Sequence, residues 1–342
     1  MLLALILLDN QDEMTRTQEV LQDVVIKFAG DSGDGMQLTG TQFTNNTALL
    51  GADLSTFPDF PAEIRAPQGT LPGVSGYQLR FSSDSIYTPG DAFDVLVAMN
   101  AAALKTNLKQ LKKGGKIIVN TDGFDAKNLR LANYPDGINP IENDSLEGYE
   151  VIKMDVTKMT RESLKDIQMG IKEKDRAKNM FVLGFLYWMY GRDMKNTEKF
   201  LEEKFGKKPE ILESNLRVLR AGYNYGDTTE TFTTQYKVEK AKIAPGNYRS
   251  IMGNQALAYG LIAASVKWCQ PILAWLMGSP ARTVSEAFNK STPCCAHFSR
   301  LPWFGMGAPT SSCNSLKMFW RDGGGGTPCC TEKLSPCAWR GP

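Results

Sequence analysis

Phe28-Ala29-Gly30-Asp31-Ser32-Gly33-Asp34-Gly35-Met36-Gln37-Leu38-Thr39-Gly40 is the stretch whose reading decides the fold. Before it, residues 23–27 (DVVIK) form an apolar, β-branched run suited to a buried strand; after it, apolar positions recur at helical spacing over 37–50. The order is strand, tight glycine turn, helix. Gly30, Gly33 and Gly35 permit positive φ and close approach of a ligand, and the free N–H groups and dipole of the following helix favour a phosphate or carboxylate there. A second reading stands beside this one: a glycine turn that only packs a helix on a strand. The spacing G-x-x-G-x-G is not the dinucleotide fingerprint, so NAD is not implied.

Length and composition bound the class. A chain of 342 residues holds two domains of ordinary size, and 42% hydrophobic with 22% charged residues is a globular composition. The net charge of +2 comes from 39 basic and 37 acidic side chains, which argues for neither nucleic acid nor an anionic surface as partner. All seven cysteines, five of six tryptophans and the single histidine, His297, lie beyond residue 267. Before that point the chain has no thiol or imidazole with which to ligate an iron–sulfur cluster, build a Ser-His-Asp triad or supply the usual zinc ligands. Hard chemistry must therefore come from a cofactor or a partner subunit.

Residues 1–8 (MLLALILL) look like the h-region of a signal peptide, yet a basic n-region is missing and Asp9, Asp12 and Glu13 follow at once. They are too few to span a bilayer. Residues 1–19 are expected to be an extension and the protein cytoplasmic, with an N-terminal anchor as the alternative.

Strands are expected at 52–57, 77–81, 94–99, 116–120 and 149–154, with helices at 101–112, 175–190, 196–205 and 208–223 and a turn at Gly114-Gly115. This alternation predicts a parallel α/β sheet, in which ligands bind beyond the carboxyl ends of the strands. The Gly30 loop, Asn100 and Asn120 are thereby drawn together. Residues 58–73 (PDFPAEIRAPQGTLPG) form a long proline-rich loop in which Glu63 and Arg65 are candidates for an anion or a neighbouring chain, or else a solvated ion pair. Residues 226–246 read as a linker, and the apolar helix 254–266 opens a second domain. Residues 268–342 string Pro, Gly, Ser, Cys and Trp without period or CxxC spacing, and read as an out-of-frame or recombined end.

The motifs GDSGDGMQLTG, FPDFPAEIRAPQGTLPGVSGYQLRFSS, DVLVAMNAAALK and EKDRAKNMFVLGFLYW together closely resemble the α subunit of bacterial 2-oxoglutarate:ferredoxin oxidoreductases, in the form where a γ-type domain is fused ahead of an α-type domain. The resemblance runs over about 20–267. It implies a Rossmann-like γ-type domain (20–225) with a parallel sheet and flanking helices, and the start of a second α/β domain (247–267). It also implies a β subunit carrying thiamine diphosphate, Mg²⁺ and a [4Fe–4S] cluster, with ferredoxin as acceptor and coenzyme A and a 2-oxoacid as substrates. By resemblance the 2-oxoacid is 2-oxoglutarate, with pyruvate and branched-chain acids behind it. The alternative is a stand-alone anion- or nucleotide-binding module without redox activity.

Carried over residue by residue, the resemblance puts Gly30, Ser32, Gly33 and Gly35 on the γ-type glycine loop and Glu63-Ile64-Arg65 on its second signature. Gly253-Asn254-Gln255-Ala256 falls where the α-type domain begins. Asn100 joins the candidate set from its place at a strand end; no metal ligand is expected. The 2-oxoacid loop and the pyrimidine-facing carboxylate of the family have no counterpart here, so the chain as given is expected to lack turnover even with its β partner. Gly33-Asp34-Gly35 with Asn45-Asn46 mimics the GDG…NN thiamine motif, but about ten residues of helix put the two ends roughly 15 Å apart, too far for one metal ion.

Overall fold

The computed structural model describes residues 17–263 apart from 64–65, 137, 230–233, 245, 247, 249–250 and 252. In chain order these residues form β1 (Thr17–Leu21), β2 (Asp23–Asp31), α1 (Met36–Leu49), β3 (Asp53–Asp59), β4 (Val74–Ser82), β5 (Phe93–Ala98), α2 (Ala101–Asn107), β6 (Leu111–Asn120) and α3 (Ala126–Leu131). They continue with β7 (Glu150–Met154), α4 (Val156–Ser163), α5 (Ile171–Asp175), α6 (Lys178–Met189), α7 (Lys195–Phe205), α8 (Pro209–Thr228), β8 (Thr234–Val238) and α9 (Gly253–Ala263). The chain divides into two units at residue 243, and α9 belongs to the second.

Six strands form one sheet in the order β3-β4-β2-β5-β6-β7, parallel throughout except for β4, which runs antiparallel to both neighbours. The fold is thus α/β and mostly parallel, as expected, with one reversed strand. The reversal has a plain cause: the connection 60–73 contains no α-helix to carry the chain back across the sheet, so β4 returns alongside β3 directly.

Side chains alternate between the two faces and build two cores. Val24, Ile26, Phe28, Val95, Val97 and Ile118 face α1, α4, α6 and α8; Val25, Ala29, Leu96, Ala98, Ile117 and Val119 face α2 and α3. The first core is the aromatic one. Phe43 of α1 stacks on Tyr187 of α6 at 5.7 Å and packs on Phe81 at 5.9 Å and Phe28 at 6.3 Å. Helix α6 is buried from Asn179 to Met189, as its unbroken apolar sequence requires. It meets α8 at backbone distance: a Cβ on Gly184 would lie 2.0 Å from the Leu219 carbonyl oxygen, and one on Gly222 2.0 Å from that of Phe181.

Three expectations are corrected. The helix expected over 101–112 ends at Asn107, because Leu111 is drawn into the second core as the first residue of β6. The expected turn at Gly114-Gly115 lies inside β6, where the register against β5 shifts between Phe93 and Val95. The stretch read as a linker contains β8, which pairs in parallel with β1 and buries Tyr236 and Val238. Its period-two pattern spans only five residues, too few to stand out from the polar Thr and Lys around it.

Candidate functional site

Strand β2 leads to α1 on one face of the sheet, and neighbouring β5 leads to α2 on the other. Between their carboxyl ends the chain paths diverge to opposite faces, which is the usual ligand position in an open α/β sheet. The glycine loop 31–35 and the N-terminus of α2 border it.

Two carboxylates brace the loop. Asp34 turns inward: its Oδ2 accepts from the Asp31 N–H at 2.9 Å and its Oδ1 pairs with Lys178 Nζ, at the start of α6, at 2.7 Å. Gly30 makes this possible, since a Cβ there would fall 2.8 Å from Asp34 Oδ2 and 3.1 Å from Met99 Cβ. Gly35 sits at φ +74° against Asn179 of α6, with 2.7 Å between its missing Cβ and Nδ2. Gly30 and Gly35 therefore serve the internal packing of loop on helix.

Asp31 turns sideways. Both its carboxylate oxygens accept from the Gly69 N–H, at 3.1 and 3.0 Å. Asn100 Oδ1 accepts from the Ala103 N–H at 2.8 Å as the N-cap of α2. Burial raises the Asp31 pKa above the ordinary carboxylate value and the Gly69 N–H pulls it down; Asp34 adds to the rise, while Asn100 and Lys178 oppose it. The outer arc of the loop is what remains. Ser32 and Gly33 are exposed, and a Cβ on Gly33 would meet only Gln68 Nε2, at 3.4 Å. The backbone N–H groups of Ser32, Gly33 and Gly35 make no hydrogen bond among the described residues.

The structure brings together Gly30, Ser32, Gly33, Gly35 and Asn100 as the sequence predicts, and divides their roles. Ser32 and Gly33 face solvent, Gly30 and Gly35 face the protein, and Asn100 is buried as the N-cap of α2. Glu63 is exposed and its backbone N–H donates to the Pro72 carbonyl at 3.4 Å; Arg65 lies outside the described residues. Asn120 is spent on structure: its Oδ1 accepts from the Val156 N–H at 3.1 Å at the start of α4. Asn46 of the thiamine-like mimic is likewise engaged, donating to the Asp193 carbonyl at 2.6 Å.

Sequence reasoning missed Asp31, Asp34, Lys178 and Gln68. A signal for two of them was present in the D-x-x-D spacing inside the quoted stretch, since a turn residue with a short acid side chain commonly bonds a nearby N–H. Nothing local marks Lys178, which reaches the loop only through the tertiary fold. Among the described residues no group of three or more His, Cys, Asp and Glu side chains is placed to hold a metal ion, and no helix is long and apolar enough to cross a membrane. What the arrangement offers is an exposed arc of N–H groups and a hydroxyl at a helix N-terminus, a surface for binding an anionic or carbonyl-bearing group.

Comparison with known proteins agrees with this architecture. Residues 25–225 match the family described as pyruvate ferredoxin/flavodoxin oxidoreductase. The chain is 53% identical over 244 residues to 2-oxoglutarate oxidoreductase subunit KorA of Mycobacterium tuberculosis (strain ATCC 25618 / H37Rv), covering 71% of this chain and 37% of that protein. It superposes on the 2-oxoglutarate:ferredoxin oxidoreductase from Magnetococcus marinus, solved with 2-oxoglutarate, coenzyme A and succinyl-CoA bound, with a TM-score of 0.55 and 26% identity over 80% of this chain and 42% of that one. The chain thus spans less than half the length of either protein.

Proposed function

We propose, from the premise that this chain belongs to the pyruvate ferredoxin/flavodoxin oxidoreductase family, that it supplies the coenzyme A-binding part of a 2-oxoacid:ferredoxin oxidoreductase. The observation that carries the reading is the 53% identity to KorA over 244 residues, alongside the family match over 25–225, which takes in the glycine loop, the arm 66–73 and α6. That relative also makes 2-oxoglutarate the favoured 2-oxoacid. In this reading the chain is the α subunit with its γ-type domain first, working in the cytoplasm. It acts with a β subunit that carries thiamine diphosphate, Mg²⁺ and a [4Fe–4S] cluster and hands electrons to ferredoxin.

The residues present fit coenzyme A in one respect that the structure supplies. Gly33 lies at the surface with space above its Cα, so a phosphate or pantetheine carbonyl reaches the N–H groups of Ser32 and Gly33 without meeting a side chain other than Gln68. The loop is less suited to a bare phosphate than its glycines suggest, because Asp31 and Asp34 put two carboxylates beneath it. Their inward and sideways orientation leaves the arc open, and the Lys178 ammonium paired with Asp34 offsets part of their charge, so amide and hydroxyl groups count as much as charge in recognition. In the overall reaction coenzyme A takes the acyl group formed when the 2-oxoacid loses CO₂ and two electrons; this chain's own residues bind and orient, and the group-transfer chemistry belongs to the thiamine on the β subunit.

Titration calorimetry of the full chain with coenzyme A tests the reading, with NAD and inorganic phosphate as controls. Saturable binding of coenzyme A and none of NAD is expected. Phosphate binding as tight as that of coenzyme A would favour a stand-alone anion module, and no binding of any of the three would remove the coenzyme A role.

A further inference from the structure

We propose that Asp31 is a positioning residue for this site: its carboxylate ties the arm 66–73 to the glycine loop, fixing Gln68 opposite Gly33. The inference rests on the reading above only for the identity of the ligand.

Two elements meet at this one carboxylate: the end of β2, which carries it, and the arm, through the Gly69 N–H. The arm is braced within itself, so it moves as a piece. The Thr70 hydroxyl donates to the Pro67 carbonyl at 2.7 Å and the Gly73 N–H to the Thr70 carbonyl at 3.1 Å. Gly69 itself has no freedom to accept a side chain, because it sits at φ +82° with its missing Cβ 2.9 Å from Asn128 Oδ1 of α3. Among the described residues, the Gly69 N–H to Asp31 is the only hydrogen bond between the arm and the glycine loop. Release it and the distance from Gln68 to Gly33 is no longer set.

Asp34 does not share this task. Its carboxylate points to α6 and serves the loop's own conformation. Burial and the nearby Asp34 disfavour the charged form of Asp31, against which the Gly69 N–H works. The role follows from geometry, since this carboxylate holds the arm whose Gln68 faces the exposed arc at Gly33.

The experiment uses the full chain as wild type, Asp31→Ala and Asp31→Asn, with hydrogen exchange followed at the arm and at core strands β5 and β6, and coenzyme A affinity by calorimetry. Asp31→Ala should raise exchange of the Gly69 amide about tenfold or more, as loss of a charge-assisted bond predicts, while β5 and β6 stay protected. Coenzyme A should bind more weakly by a similar factor. Asp31→Asn retains an acceptor and should recover part of both effects. Unchanged exchange at Gly69 in Asp31→Ala overturns the proposal, and so does a rise that appears equally in β5 and β6, which would mean a merely structural role. If exchange at Gly69 rises locally but the wild type binds no coenzyme A, the tie stands and the ligand assignment falls. If coenzyme A binds all three proteins equally although the arm is loosened, Asp31 does not position the site.

Discussion

Replacing Gly33 and Gly35 by alanine, one at a time, separates ligand binding from folding. At Gly35 the backbone is at φ +74°, and a Cβ would lie 2.7 Å from Nδ2 of Asn179, a side chain only 4% exposed. The left-handed conformation costs a non-glycine residue about 1–2 kcal/mol. Displacing the buried amide costs about 1–3 kcal/mol more, offset by about 0.5 kcal/mol from the stiffer unfolded chain. The net, about 2–4 kcal/mol, lowers Tm by roughly 5–15 °C for a domain of this size. At Gly33 the nearest atom is 3.4 Å from the added Cβ and belongs to the flexible end of Gln68, and φ is not positive. Gly33→Ala should therefore unfold within about 2 °C of wild type. Its methyl group nevertheless stands in the exposed arc, so coenzyme A should bind about tenfold more weakly, a loss of about 1.4 kcal/mol. Differential scanning calorimetry and titration calorimetry on the same two preparations read both quantities. A Gly35→Ala protein as stable as wild type would refute the packing argument, and unchanged coenzyme A affinity in Gly33→Ala would take the arc out of the site.

Other perturbations probe the same framework. Asp34→Ala leaves Lys178 without its partner; since the two side chains are 11% and 23% exposed, the loss should be about 1–3 kcal/mol in urea unfolding, partly recovered by Lys178→Met in the same background. Gly222→Ala brings a Cβ to 2.0 Å from the Phe181 carbonyl oxygen and should cost more than about 3 kcal/mol, seen as loss of a cooperative thermal transition. The raised pKa of Asp31 has a definite sign in the pH dependence of stability: the folded state holds this proton more tightly than the unfolded chain, so its contribution is greatest below the unfolded value and is lost as pH rises through the folded one. Other acids titrate in the same range, so the difference between wild type and Asp31→Asn isolates it. The variant should gain on wild type as pH rises from about 4, in the range where a free aspartate ionises.

The strands that bury both faces were the most legible part of the sequence. The runs at 24–26, 95–99 and 117–119 are apolar throughout, as a strand buried on both faces requires. The reversal of β4 was not legible, because periodicity reports that Tyr77 to Phe81 is a strand without reporting its direction. At the site, the glycine loop announced itself and its internal logic did not. Gly30 and Gly35 look in sequence like Gly33, yet only the tertiary neighbours Met99 and Asn179 reveal that two of the three are filled from within. Lys178 was hidden for the same reason: its partner is Asp34, remote in sequence, and the salt bridge exists only once α6 is packed beside α1.

The pairing of β1 with β8 has a consequence for synthesis on the ribosome. Thr17 is made early and its partner is Thr234, so at about 5–20 residues per second the first strand waits roughly 10–40 s for the strand it pairs with. The alternating units from β2 to α4 can assemble meanwhile from nearer contacts, while β1 keeps an open row of N–H and C=O groups and an exposed Val20. On polysomes carrying several copies, that strand is the segment most available to a neighbouring nascent chain. Slower elongation after β7 should therefore lower soluble yield, and deleting the first strand should blunt that sensitivity even though the finished protein loses a pairing.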